Sequence, residues 1–204
     1  METPYHAGEL AVQTQAKVQV EAASLGNIIS ATIKPAAKDF LQNQRFAIAS
    51  TVVSNNVWAS LLTGKPGFLQ VIGDRTVNIQ ATICSESLQI GLLVIDLSTR
   101  RRLRINGKAT RNPDGSTNIA TQQVYFNCPK YIQRHYLFAD DTQLSTTSVQ
   151  DFASLTWKHQ AWITSADTFF IASMHPESGA DTSHRGGYPG FMQVVNNNLL
   201  VFPD

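Results

Sequence analysis

The sequence contains the same 26-residue pattern twice, and this repeat constrains the fold more than any other feature. Residues 46–71 read FAIASTVVSNNVWASLLTGKPGFLQV, and residues 169–194 read FFIASMHPESGADTSHRGGYPGFMQV. The two segments align without a gap at a separation of 123 positions, and 11 of the 26 aligned residues are identical. Two unrelated hairpins of similar composition would not agree at so many positions, so the chain uses one supersecondary unit twice.

Each copy of the repeat predicts a small antiparallel meander of three strands. In the first copy, Phe46, Ile48 and Ser50 alternate with alanines, which is the period of a β-strand. Residues 53–56 and 175–179 have the composition of turns, and a second strand follows each of them. A glycine and the sequence Pro-Gly-Phe then force a bend before a third, short strand.

The hydrophobic pattern divides the chain into four segments. Residues 1–44 predict helices, and residues 45–138 predict six or seven antiparallel strands that form a small barrel. Residues 139–166 predict a helical linker, and residues 167–204 predict the start of a second, incomplete barrel repeat. The predicted fold class is therefore mainly β, an antiparallel split β-barrel with a helical N-terminal segment.

Several elements are predicted within these segments. A first helix places Val18, Ala22, Leu25 and Ile29 on one face, and Pro35 ends it. A second short helix over 35–42, a buried strand over 88–97 and further helices over 129–137 and 148–163 are also expected. Ser148 or Asp151 is the expected N-cap of the last helix, after a polar linker over 140–148.

The composition excludes several classes of function. With 43% hydrophobic residues and a net charge of +1, the chain has no bulk electrostatic reason to bind nucleic acid or a membrane. No apolar run reaches the roughly 18 residues of a membrane-spanning helix, and the N-terminus does not read as a signal peptide. Cys84 and Cys128 fit no metal spacing, so no metal site is expected. The two cysteines either form a disulfide with each other or, as we expect, are buried free thiols in a reducing cytoplasm.

Three motifs together resemble a known family. They are the two Pro-Gly-Phe meanders, the Arg-rich strand RRLRINGKA at 101–109, and the sequence FNCPKY at 126–131. In these motifs the chain resembles the pyridoxamine 5'-phosphate oxidase-like, FMN-binding split-barrel proteins, and more narrowly their tandem form. The resemblance covers residues 5–138 as one barrel with its helical lead-in, and 157–204 as the opening of a second.

The resemblance implies a site for FMN at the contact between two barrels. In that family a basic residue and hydroxyls on the second strand and the following loop hold the FMN phosphate. The matching positions here are Ser183, Arg185 and Gly186, with Thr182 beside them. Arg102 matches a polar residue that touches the flavin ring. A guanidinium can bind a phosphate through two hydrogen bonds, a hydroxyl adds a donor, and glycines let the backbone approach a flat ring.

The two copies differ at the position that matters most for a phosphate. Leu62 stands in the first copy where Arg185 stands in the second. The family that the chain resembles also carries a basic segment after the fourth strand, and residues 81–87 at that place have no basic side chain. Leucine cannot stabilise a phosphate dianion away from water. The sequence therefore predicts that an FMN phosphate lies in the second copy, near Ser183 and Arg185.

The expected function is that of an FMN-dependent oxidoreductase, although the sequence leaves alternatives open. A non-catalytic flavin-binding or dimerisation module is one alternative, and a ligand-free barrel is another. Motifs for a nucleophile elbow, a P-loop or a dinucleotide fold are absent from the sequence, so any chemistry would be the flavin's, on an unspecified small-molecule substrate. A homodimer is expected. Arg100, Arg102, Arg104 and Lys108 are predicted to share one strand face, which faces solvent, contacts the flavin or its partner barrel, or binds nucleic acid. Aromatic residues do not interleave with these charges, which disfavours nucleic acid.

Overall fold

The computed structural model describes residues 4–137 and 150–203. Its helices are α1 (Ala7–Ala16), α2 (Gln19–Gly26), α3 (Pro35–Gln42) and α4 (Trp157–Ser165). Its strands are β1 (Phe46–Val53), β2 (Asn56–Thr63), β3 (Leu69–Ile72), β4 (Thr76–Ile79), β5 (Gln89–Asp96), β6 (Arg101–Arg111), β7 (Thr117–Asn127), β8 (Thr168–His175), β9 (Gly179–Gly186), β10 (Gln193–Asn196) and β11 (Leu199–Val201).

Strands β1 to β7 form one seven-stranded sheet in the order β2-β1-β5-β6-β7-β4-β3. Its registered neighbours pair antiparallel, as in Ala49↔Leu92 between β1 and β5 and Val77↔Ile119 between β4 and β7. The chain is thus mostly antiparallel β-structure with a few helices, which confirms the predicted fold class and strand number. Because β2 and β3 lie at the ends of the sheet order, the hydrogen bonding does not close a barrel.

The hydrophobic core lies on one face of this sheet and is covered by α3. Leu103 and Ile105 of β6 point into it, while Arg104 and Asn106 lie on the opposite face because side chains alternate along a strand. Phe40 and Leu41 of α3 are buried in the same core. Pro35 begins α3 as predicted, since proline suits the first helical turn.

The repeat seen in the sequence is also a repeat in the structure. Strand β9 begins and ends 123 positions after β2, and each copy continues into a second short hairpin, β3–β4 or β10–β11. A Cβ added to Gly64 would lie 2.5 Å from the Phe68 ring, and one added to Gly187 would lie 2.7 Å from the Phe191 ring. The same close packing of glycine on phenylalanine therefore shapes the bend in both copies.

Some helix predictions were wrong. Lys17 adopts a left-handed conformation, with φ +58, so the first predicted helix breaks into α1 and α2. The apolar face predicted for that helix buries only Ala22, and Val18 and Leu25 are exposed. Residues 129–137 contain no helix, because Tyr131 also has positive φ.

The predicted last helix starts later than expected. Helix α4 begins at Trp157, and the hydroxyl of Thr156 caps it by accepting a hydrogen bond from the His159 amide. Asp151 lies before the helix, and Ser148 and the predicted linker over 140–148 fall outside the described residues. The two cysteines are free, as expected, but they are exposed rather than buried.

The chain forms two compact units. One consists of the chain up to Ile95 with Arg101–Cys128 and Phe170–Ser183, and the other comprises the rest. The outer part of the β8–β9 hairpin of the second repeat therefore belongs to the same unit as most of the seven-stranded sheet. Among the described residues, no helix has the length and apolar character needed to cross a membrane.

Candidate functional site

The residues predicted to hold the FMN phosphate follow one another along β9. Ser183 is buried, and Arg185 and Gly186 are half-buried. Because side chains alternate along a strand, Ser183 and Arg185 lie on one face of β9 and Thr182 on the other. The structure thus places the predicted cation and one predicted hydroxyl side by side.

Thr182 has a different environment from the other predicted phosphate contacts. Its side chain is fully buried, and its hydroxyl donates a hydrogen bond of 2.9 Å to the carbonyl oxygen of Gly91 on β5. Gly91 permits this close approach, since a Cβ there would lie 2.6 Å from the Cα of Asp181. The hydroxyl of Thr182 therefore holds β9 against β5, and a contact between Thr182 and a cofactor stays a prediction.

Arg185 and its equivalent in the first copy, Leu62, make different contacts. Leu62 on β2 packs against the hydrophobic core of the sheet. Arg185 cannot pack in that way, and one of its terminal nitrogens donates to the carbonyl oxygen of His184 at 3.3 Å. At the same place in the repeated unit, one copy has an apolar contact and the other a half-buried guanidinium.

The paired glycines after Arg185 have a packing reason of their own. A side chain at Gly186 would overlap the carbonyl oxygen of Tyr131, and one at Gly187 would meet the ring of Phe191. Both positions thus exclude larger residues whether or not a flat ring lies nearby. A contact between Gly186 and a cofactor stays a prediction.

Arg102, the predicted ring contact, lies on β6 opposite Asn127 of β7. It is half-buried and shares its strand face with Arg104 and Asn106. This face was expected to include Arg100 and Lys108 and to meet solvent, the flavin or its partner barrel, or nucleic acid. Arg100 instead precedes β6, with φ +55. Part of it is covered by β9 of the second repeat, as the contacts of Arg104 show.

A cluster of polar side chains, which the sequence did not reveal, surrounds Asp181 of β9. One terminal nitrogen of Arg104 lies 2.9 Å from Oδ2 of Asp181, and the Asn106 amide donates to Oδ1 at 3.3 Å. The same amide donates to the side-chain oxygen of Gln123 at 3.1 Å. Asp181 thus accepts hydrogen bonds from two residues of β6, and the ion pair between Arg104 and Asp181 is half-buried.

Tyr125 of β7 extends this cluster. Its hydroxyl accepts a hydrogen bond of 3.4 Å from Arg104, whose guanidinium lies 6.0 Å from the centre of the tyrosine ring. Burial raises the pKa of Tyr125, and the adjacent Arg104 charge offsets only part of this effect. The phenol is therefore a neutral hydrogen-bond donor at neutral pH.

The polar cluster forms one wall of a cleft with a volume of about 680 Å³. Residues before and within α1, including His6 and Glu9, and the tip of the β8–β9 hairpin, including His175, form the other sides. The imidazoles of His6 and His175 stack with their centroids 5.1 Å apart. A single sequence signal could have indicated this cleft: the repeat replaces Trp58 of the first copy with the charged Asp181.

Metal binding has no support in the described ranges 4–137 and 150–203. Within them, no three His, Cys, Asp or Glu side chains lie close enough together to hold an ion.

Comparison with known proteins gives matches at the level of solved structures. No protein-family profile and no curated protein matches the chain. A variant of HupZ from Group A Streptococcus matches 47% of this chain and 99% of its own, at 16% identity and a TM-score of 0.36. HupZ itself matches 46% of this chain and 93% of its own, at 14% identity and the same TM-score.

A third solved structure belongs to a provisionally named pyridoxamine 5'-phosphate oxidase from Lactobacillus delbrueckii. It matches 47% of this chain and 95% of its own, at 10% identity and a TM-score of 0.36. Similarity of this extent gives no information about the ligand or the activity of the chain.

Proposed function

We propose that the chain is an FMN-binding split-barrel protein in which the second repeat holds the FMN phosphate. The observation that carries the proposal is the exchange of Leu62 for Arg185 at equivalent positions of the two repeats. Strands β2 and β9, which carry these two residues, have equivalent bounds, and both copies keep the glycine–phenylalanine bend. A half-buried guanidinium at this place suits an anionic ligand, because it can donate charge-assisted hydrogen bonds that leucine cannot.

The residues of β9 fit a phosphate group. Ser183 and Arg185 are two positions apart on one strand face, a separation of roughly 7 Å between their Cα atoms. A phosphate between them can accept a hydrogen bond from the hydroxyl and a charge-assisted pair from the guanidinium. Each charge-assisted hydrogen bond stabilises the complex by roughly 1.5–3 kcal/mol, enough to select the second repeat over the first.

The proposed activity is that of an oxidoreductase. FMN supplies the electron and hydride chemistry when bound, and the protein binds and orients it. Arg102 is the residue proposed to contact the flavin ring. The proposed substrate is a small molecule.

We also propose that a second copy of the chain covers the β10–β11 hairpin. Val195, Leu199 and Val201 are exposed there. Strand β4, the equivalent of β11 in the first copy, pairs along its other edge with β7, whereas β11 pairs with β10 alone within residues 4–137 and 150–203. A second copy offers β2, an edge strand with exposed apolar side chains, as a partner for such an edge.

The test of the proposed function is a visible absorption spectrum. The purified full chain is mixed with FMN, unbound FMN is removed by gel filtration, and the flavin absorption of the protein fraction is recorded. We expect one FMN per chain at saturation and bleaching of the bound flavin by a reductant that serves as substrate. A protein fraction without flavin would contradict FMN binding, whereas bound flavin that no donor reduces would favour the non-catalytic module.

A further inference from the structure

The cleft beside Asp181 has the size of a small-molecule site. Its volume of about 680 Å³ lies within the range of roughly 300–1,000 Å³ that ligand pockets occupy. Asp181 lies on the same face of β9 as Ser183 and Arg185, but neither of those two residues lines the cleft, which extends the other way, toward the hairpin tip and α1. No step in the proposed function uses it.

The charges of the cleft exclude an anionic ligand. Its lining contains one guanidinium, of Arg104, and two carboxylates, of Asp181 and Glu9. Arg104 and Asp181 neutralise each other at 2.9 Å, which leaves the charge of Glu9. A phosphate or carboxylate ligand would meet net repulsion, and a neutral or singly positive ligand would not.

The two histidines at the cleft do not reverse this charge. Nδ1 of His6 accepts hydrogen bonds from the backbone amides of Gly8 and Glu9. Nδ1 of His175 accepts hydrogen bonds from the backbone amides of Glu177 and Ser178. An imidazole nitrogen that accepts carries no proton, so the ring proton of each lies on Nε2. Both rings therefore present an uncharged N–H and an aromatic face.

The hydrogen-bonding groups of the cleft can pair with the carboxamide group of a ligand. Asn106 and Gln123 contribute side-chain amides, and Tyr125 contributes a hydroxyl whose oxygen already accepts from Arg104 and whose proton remains to donate. Tyr5, Tyr125 and the stacked imidazoles contribute aromatic surface. Together they suit a flat ring that carries a carboxamide.

We infer that the cleft binds a planar aromatic amide that is neutral or carries one positive charge. The inference goes beyond the proposed FMN site and does not depend on it. Its test uses three small probes of the same shape and no phosphate: 1-methylnicotinamide, a cation; nicotinamide, neutral; and nicotinate, an anion. The full chain is titrated with each by protein-observed NMR, without FMN, so the result is independent of flavin binding.

The expected order of affinity is the cation first, the neutral amide second and the anion last. Glu9→Gln removes one negative charge from the cleft but keeps a side chain that can accept from the His6 amide, which Glu9 now binds at 2.9 Å. It should raise the Kd of 1-methylnicotinamide about threefold or more and leave that of nicotinamide within about twofold, since only the charge changes. Asp181→Asn should likewise raise the Kd of 1-methylnicotinamide and leave the Kd of nicotinamide almost unchanged.

Glu177→Gln is the matched control, because Glu177 is an exposed acid at the hairpin turn outside the cleft lining. It should change neither constant. The inference is overturned if none of the probes binds, if nicotinate binds as tightly as 1-methylnicotinamide, or if Glu177→Gln weakens the cation as much as Glu9→Gln does. Should Asp181→Asn fail to fold, the Glu9→Gln and Glu177→Gln pair decides the matter alone.

Discussion

A terminal nitrogen of Arg104 on β6 lies 2.9 Å from Oδ2 of Asp181 on β9. This ion pair joins the Arg-rich strand of the seven-stranded sheet to a hairpin of the second repeat, 77 residues further along the chain. Because both side chains are half-buried, each would lose hydration without a partner to replace it. The contact therefore fixes β9 over the outer face of β6.

Asp181→Ala is expected to lower the free energy of unfolding by about 1 kcal/mol, a value reduced for the partial exposure of the pair. Arg104→Met should cost a similar amount, and the double variant should cost less than both single changes together, since the two residues interact. Urea unfolding followed by fluorescence measures all three. Glu177→Ala, which removes an exposed acid from the same hairpin, should stay within about 0.5 kcal/mol of the parent. Strict additivity of the two changes would show that the pair contributes nothing.

Gly64→Ala is expected to be more destabilising than Gly187→Ala. In both, the new methyl group meets a phenylalanine, at 2.5 Å for Phe68 and 2.7 Å for Phe191. Phe68 is buried and cannot yield, so overpacking there should cost about 1–3 kcal/mol, whereas Phe191 is only half-buried and can move. Thermal unfolding by circular dichroism gives the order of the two melting temperatures. The reverse order would mean that burial of the ring does not set the cost.

Arg185→Leu is expected to weaken FMN binding about tenfold or more, because the loss of roughly 1.4 kcal/mol of charge-assisted hydrogen bonding is tenfold in Kd. Leu62→Ala, at the equivalent position of the first repeat, should leave the affinity almost unchanged. Quenching of FMN fluorescence gives both dissociation constants. If Arg185→Leu binds FMN like the parent while Leu62→Ala does not, the phosphate lies in the first repeat instead.

Leu199→Lys is expected to shift the chain toward the monomer. Leu199 is exposed on β11, and a lysine on an edge strand opposes pairing with a strand of another molecule. Light scattering over a range of protein concentrations measures the change in average mass. Val20→Lys on α2, an exposed apolar position in the N-terminal segment, is the control and should leave the mass unchanged. A parent chain that is monomeric at all concentrations would refute the proposed association.

Asp96, at the end of β5, is expected to contribute to acid sensitivity. Burial tends to raise the pKa of Asp96, but hydrogen bonds from the hydroxyls and amides of Ser98 and Thr99 outweigh it and hold the pKa below its ordinary value of 3.8. A carboxyl whose folded pKa lies below the unfolded one stabilises the fold above the unfolded pKa. This contribution disappears as the pH falls through the folded pKa.

Asp96→Asn should therefore destabilise the protein at neutral pH and have a smaller effect at an acid pH below the folded pKa, where the parent carboxyl is itself protonated. Urea midpoints at the two pH values measure the difference. Ser98→Ala, which removes one of the hydroxyl donors, should show part of the same pH dependence. An equal effect of Asp96→Asn at both pH values would show that ionisation of this carboxyl does not stabilise the fold.

The sequence by itself determined the repeated unit and most of the sheet. Alternation of apolar and polar residues depends only on neighbours two positions apart, so the strands around Ile48 and Leu103 could be read locally. Glycines with φ near +90 at Gly67 and Gly190, together with the prolines before them, fixed the bends in the same local way. The difference between Leu62 and Arg185 was likewise visible in the aligned repeats.

Only the tertiary structure decided which faces of these strands are covered. Nothing near Arg104 in the sequence indicates Asp181, because the contact depends on how the β8–β9 hairpin packs on β5 and β6. The orientation of Thr182 toward Gly91 was hidden for the same reason. The break at Lys17 depends on a left-handed backbone conformation that a lysine seldom adopts, so the apolar period there predicted one helix where two exist. Local periodicity fixes secondary structure, but the partners of a polar side chain are set by contacts between distant segments.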